Sequence, residues 1–135
     1  VQCVVVGIDS VRDADDEWRV RSHTGDPDAM RAPGKRTLDW VVEAQALGAG
    51  ELVLNCMGSD GVRGGCGSGQ LRAVRARCNV PLVASGGAGE AVHFTEVFRK
   101  ADVDAALAAS IFHSGAVAIP ALKQALRAQG IEVRL

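Results

Sequence analysis

Apolar positions follow two different rhythms along this chain. Residues 2–9, QCVVVGID, are β-branched and almost continuously apolar, the pattern of a parallel strand covered on both faces. Residues 17–24, EWRVRSHT, alternate apolar and polar instead. They predict an exposed ribbon, and the polar, Gly- and Pro-containing stretch to Lys35 predicts a loop. TLDWVVEAQALGAG then spaces Leu38, Val41, Val42 and Ala46 as one helical face, stopped by Gly48 and Gly50. The alternation repeats to the end: strand 51–56, a glycine-rich loop, helix 70–77, strand 80–85, helix 90–100, strand 104–110 and helix 119–128.

Strands that are each followed by a helix predict an α/β fold, with parallel strands joined by right-handed crossovers and ligand-binding loops at the strand C-termini. There are four such units, so residues 1–135 read as a single (βα)4 domain, half of a (β/α)8 barrel. The outermost strands of half a barrel expose backbone groups that closure would pair. A complementary N-terminal half-barrel, or a second copy of the chain, is therefore expected to cover them. A start at Val1, already in strand pattern and without Met, reads as a fragment of a full barrel or a processed chain.

Composition narrows the partners. With 16 acidic and 15 basic side chains the net charge is near zero, so neither a nucleic-acid footprint nor a polybasic membrane patch is expected. No apolar run approaches the roughly 20 residues of a membrane span, and no basic leader opens the sequence. The four cysteines, Cys3, Cys56, Cys66 and Cys78, form no C-x-x-C pair. They read as reduced thiols of a cytoplasmic protein rather than a disulfide framework or zinc site. The histidines, His23, His93 and His113, are scattered over ribbon, helix and strand end; no metal and no cofactor is expected.

The chemistry concentrates after the strands. PLVASGGAG (81–89) and AALAASIFH (105–113) both end an apolar run in residues with almost no side chain. Backbone N–H groups can approach a phosphate only where side chains do not obstruct them. Ser85, Gly86 and Gly87, with Ala109 and Ser110 and a short helix from Ser110, are thus a candidate phosphate cradle; tight turns that relieve crowding are the alternative. Asp9, at the end of the first strand, is either a general acid/base or a turn cap. Asp60 stands in an Asp-Gly turn signal, and Glu51 is a carboxylate at the buried start of a strand that needs a partner.

The strings VVVGIDS, TLDWVVEAQALGAGELVLN, SDGVRGG, VPLVASGGAG, ADVDAALAASIFH and LKQALRAQGIEVRL, in order over essentially the whole chain, resemble the C-terminal half of the cyclase subunits of imidazole glycerol phosphate synthase. The related isomerase of the same pathway shares the half-barrel pattern and phosphate loops, but GIDS and AASIFH favour the cyclase. The resemblance implies a TIM barrel of histidine biosynthesis that takes ammonia from a glutaminase subunit. It converts a bis-phosphorylated aminoimidazole carboxamide ribonucleotide into imidazole glycerol phosphate and aminoimidazole carboxamide ribotide. By position, Asp9 matches an acid/base aspartate, Asp60 and Gly61 a substrate loop, and Ser85, Gly86, Gly87, Ala109 and Ser110 one phosphate site. Glu51 matches a charged residue of the ammonia gate. The family's other essential aspartate, a lysine and the second phosphate site belong to the N-terminal half, so this chain alone is expected to be inactive.

The sequence departs from the family at Cys66 and Gly67, where an aromatic and an acidic residue are usual. Ser68 is expected to replace the lost helix cap. Gly58, Gly64, Gly65, Gly67 and Gly69 predict a mobile loop. A phosphate-binding half-barrel without turnover, or an assembly module that pairs through its strand edges, are the alternatives from other functional classes.

Overall fold

The computed structural model describes residues 2–57 and 67–134. A sheet in the order β2-β1-β3-β4-β5 is built from β1 (Val5–Arg12), β2 (Trp18–Arg21), β3 (Glu51–Cys56), β4 (Leu82–Ser85) and β5 (Ala105–Leu107). β1, β3, β4 and β5 are parallel neighbours, and β2 runs antiparallel to β1. Helices α1 (Thr37–Ala46), α2 (Ser68–Arg75) and α3 (Ala91–Ala101) each link successive parallel strands. After β5 come the short α4 (Ser110–His113) and then α5 (Ile119–Ala128). This is the α/β half-barrel arrangement that the alternation predicts.

One face of the sheet carries the core. Ile8 of β1, Leu52, Leu54 and Cys56 of β3, and Leu82 and Ala84 of β4 are buried together with Val41, Ala44, Leu71 and Val74 from the helices. Their alternation along each strand follows from the two-residue period of β side chains. The continuous apolar run 2–9 is not covered on both sides as its composition suggests, because Val4 and Val5 are 45% and 52% exposed. A second correction concerns α1. Its covered stripe is Thr37, Val41 and Ala44, spaced by four and three residues, so Val42, about 100° further round the helix, is left 52% exposed.

A smaller apolar cluster holds the C-terminal elements. Phe94 of α3 packs with Ile111 of α4 and Leu122 and Leu126 of α5, and the rings of Phe94 and Phe112 lie 6.0 Å apart. α5 starts with Pro120 in its first turn, where the missing N–H costs no helical hydrogen bond. At the other end of the sheet, Asp104 accepts from the Leu82 amide at 2.8 Å and pairs with Arg75 at 2.9 Å, tying the starts of β4 and β5 to α2.

The ribbon expected at 17–24 is the returning strand of the β1–β2 hairpin, with Arg12 opposite Trp18 and Asp9 opposite Arg21, but it is not exposed: all of β2 is partly buried, because Val20 packs against the main core. Its charged turn is cross-braced by Arg12–Asp16 at 2.7 Å, Arg19–Asp15 at 2.6 Å and Arg21–Asp13. The Arg19 hydrogen bond holds the Asp15 carboxyl below its ordinary range. The expectation of reduced thiols throughout is corrected: Cys3 and Cys78 are free, but Cys56 is disulfide-bonded. Spacing along the chain gives no measure of distance between sulfurs across a fold, which is why the sequence did not reveal it.

Candidate functional site

Register places the candidate chemistry. Asp9 pairs with Asn55, Asn55 with Ser85, and Ser85 with Leu107 across neighbouring parallel strands. Residues in register on adjacent strands face the same way, so Asp9, Asn55 and Ser85 form a row on the face turned away from the helices. All three are partly buried. The row crosses the sheet at the C-terminal ends of the parallel strands, the end where α/β barrels bind ligands.

The carboxylate of Asp9 is held at both oxygens. Asn55 Nδ2 donates to one oxygen at 2.9 Å, and Thr24 Oγ1 donates to the other. Asp9 is not the turn cap that its sequence position allows, since β1 runs on past it to Arg12 in the hairpin. Relative to the parallel ladder it is a strand-end residue, because pairing of β1 with β3 stops one position later at Ser10 and Cys56. Neither Asn55 nor Thr24 was singled out in the sequence. Asn55 could have been found as a polar residue on the same strand parity as Val53, whereas Thr24 reaches Asp9 only through the hairpin's return.

The two small-residue loops are brought side by side, because Ser85 and Leu107 are the last paired residues of β4 and β5. Gly86 has φ +99°, and a side chain there would put its Cβ 3.0 Å from both Asn55 Oδ1 and the Cys56 carbonyl oxygen. Gly87 has φ +72°. Both positions therefore require glycine for backbone reasons, and at Gly86 that close approach packs the turn against the end of β3. Across from them, exposed Ala109 precedes α4, and its carbonyl accepts from the amides of Phe112 and His113 at 3.1 and 3.0 Å.

Other candidates fall elsewhere. Asp60 and Gly61, with Gly58, Gly64, Gly65 and Cys66, lie outside the described residues. Glu51 is at the opposite end of the sheet, partly buried, and makes no ion pair among the described residues. It shares its face of β3 with Val53 and Asn55, by the same alternation that buries Leu52 and Leu54. Ser68 does not cap α2: the N-cap is Gly67, without a side-chain hydrogen bond, and Ser68 is the first helical residue. His93 has a structural task, since its Nδ1 accepts from the amides of Gly89 and Glu90 at 3.1 and 3.2 Å at the start of α3. Among the described residues no group of three or more His, Cys, Asp or Glu side chains could hold a metal ion. No described helix is long and apolar enough to cross a membrane.

A family model for histidine biosynthesis proteins matches residues 1–118. The imidazole glycerol phosphate synthase subunit HisF of Xylella fastidiosa (strain M12) is 70% identical over 134 residues, which are 99% of this chain and 52% of that protein. The subunit of the same name from Xanthomonas oryzae pv. oryzae (strain MAFF 311018) is 69% identical with the same coverage. So is that of Xanthomonas axonopodis pv. citri (strain 306). The chain spans about half the length of the curated relatives it matches.

Proposed function

The chain belongs to the histidine biosynthesis protein family, and on that premise we propose that it forms the C-terminal half of a cyclase barrel of imidazole glycerol phosphate synthase. In this reading the completed barrel takes ammonia from a glutaminase subunit. It cleaves and cyclises a bis-phosphorylated aminoimidazole carboxamide ribonucleotide, releasing imidazole glycerol phosphate and aminoimidazole carboxamide ribotide.

The observation that carries the reading is the position of Asp9. Its carboxylate is oriented at both oxygens by side chains, on the open face of the sheet, in register with Asn55 and Ser85. A general acid/base must be fixed within reach of the proton it moves, and Asn55 and Thr24 supply that orientation. Two strands across, the Ser85–Gly87 turn and the Ala109–Ser110 loop would hold one phosphate through main-chain donors, and Asp60 and Gly61 would contact the substrate.

Glu51 fits an ammonia entry from the opposite end. It lies four residues before Asn55 on the same face of β3, which at about 3.3 Å per residue puts the two roughly 13 Å apart. Val53 lies between them, and in register with it are Gly7 and Val83, an uncharged path that suits neutral ammonia.

The test is Asp9→Asn in a barrel completed with an N-terminal half and supplied with ammonium. Asparagine keeps size and hydrogen bonding but cannot exchange the proton, so kcat should fall by about 10²–10⁴-fold with KM little changed. Turnover within a few-fold of the parent would reduce Asp9 to a structural group. The 135-residue chain by itself is expected to show no turnover.

A further inference from the structure

Behind the row of Asp9 and Asn55, on the helix-facing side of the sheet, lies a second polar cluster. The buried polar residues of the described chain are Ser10, Thr37 and Gln70, exposed by 1%, 0% and 6%, and Ser10 contacts both of the others. Ser10 Oγ is 2.6 Å from Thr37 Oγ1, and Gln70 Nε2 donates to Ser10 Oγ. The main chain of the same serine is also engaged, since its carbonyl oxygen accepts from the amide of Met57 at 2.9 Å.

One residue therefore ties together four pieces of chain. Ser10 belongs to β1, Thr37 is the first residue of α1, Gln70 is in the first turn of α2, and Met57 directly follows β3. Met57 and Gln70 are the described residues that Ser10 holds on either side of the 58–66 stretch. Ser10 is also the residue after Asp9 and pairs with Cys56, the residue after Asn55.

Packing alone does not call for this cluster. Alanine and valine would fill the positions of Ser10 and Thr37 with similar volume, and replacing both partners of a buried hydrogen bond by apolar groups is often nearly neutral for stability. What a fully satisfied polar network adds is a fixed relative geometry of the elements it joins, and among the described residues no buried side-chain polar atom lacks a partner. Here the elements joined are those that carry Asp9 and Asn55.

We infer that Ser10 is a positioning residue, which with Thr37 and Gln70 holds Asp9 and Asn55 in the geometry that proton transfer needs. The inference rests on the reading of Asp9 as the acid/base group. A small displacement of a catalytic group far exceeds its packing cost in effect, with losses of up to about 10²-fold per ångström.

The experiment uses the completed barrel with ammonium as nitrogen source, well below its unfolding temperature, and compares Ser10→Ala, Thr37→Val, Thr37→Ser, Gln70→Met and Asp9→Asn. Ser10→Ala and Thr37→Val should lower kcat about tenfold with little change in KM, and Thr37→Ser, which restores the hydroxyl, should return most of it. Gln70→Met removes the same hydrogen bond from the helix side and gives the same reading if Ser10→Ala fails to fold. A kcat for Ser10→Ala or Gln70→Met within twofold of the parent, with Asp9→Asn inactive, overturns the positioning role and leaves the acid/base assignment standing. Equal losses in Thr37→Ser and Thr37→Val would also overturn it, because packing would then be the cause. Full activity in Asp9→Asn would instead remove the acid/base reading, and the inference with it.

Discussion

Gly86 shows how closely the candidate phosphate turn and the candidate acid/base group are coupled. A Cβ at this position would press on Asn55 Oδ1 and on the Cys56 carbonyl, and Asn55 is the residue that orients Asp9. Gly86→Ala should therefore do two things. A non-glycine residue held in a glycine conformation costs on the order of 1–3 kcal/mol, which denaturant unfolding would register. It should also weaken phosphate binding, measured by calorimetric titration of inorganic phosphate; unchanged affinity would take the turn out of the proposed phosphate site. Asp9 and the glycines were legible in the sequence because each breaks an apolar strand pattern with an unusual residue. Thr24 was not, since its meeting with Asp9 depends on the hairpin's path and no local pattern encodes that path.

Elements differ in how far the sequence defines them. The strand at Glu51–Cys56 and the helix at Ile119–Ala128 have the bounds that the hydrophobic pattern gives, because burial of their apolar residues determines both. β1 runs to Arg12, although its apolar run ends at Ile8. There, pairing with β2 and the Arg12–Asp16 and Arg19–Asp15 ion pairs continue the strand, and backbone pairing leaves no hydrophobic trace. Helix α1 separates pattern from packing within two adjacent valines, since Val41 is fully buried and Val42 is half exposed. Removing two buried methyl groups costs about 2 kcal/mol, so Val41→Ala should destabilise by roughly that amount. Val42→Ala should stay within about 0.5 kcal/mol of the parent, because little area is lost and alanine is the better helix former. Equal effects of the two in denaturant melts would mean that the stripe of Thr37, Val41 and Ala44 does not face the core.

The whole molecule is governed by its open sheet. β2 pairs with β1 only from Asp9 to Arg12, so among the described residues the Val5–Ile8 stretch has a neighbour on one side alone, β3. Among the described residues β5, a three-residue strand, pairs only with β4, and Leu107 beside that edge is 50% exposed, as Val5 is at 52% near the other. Unpaired strand edges flanked by exposed apolar side chains are templates for adding another strand. A chain of the same half-barrel form has complementary edges to offer, as does an N-terminal half, and closing the sheet would give each of the parallel strands two neighbours. The chain should therefore self-associate reversibly in sedimentation equilibrium, and an added N-terminal half should displace the self-complex. Val5→Lys places a charge beside one edge while leaving the helix-facing core untouched, so it should shift the equilibrium towards monomer with little change in helical circular dichroism. If the parent chain stays monomeric up to its solubility limit, the edges are not sites of association, and the half-barrel must satisfy them with its own residues or with solvent.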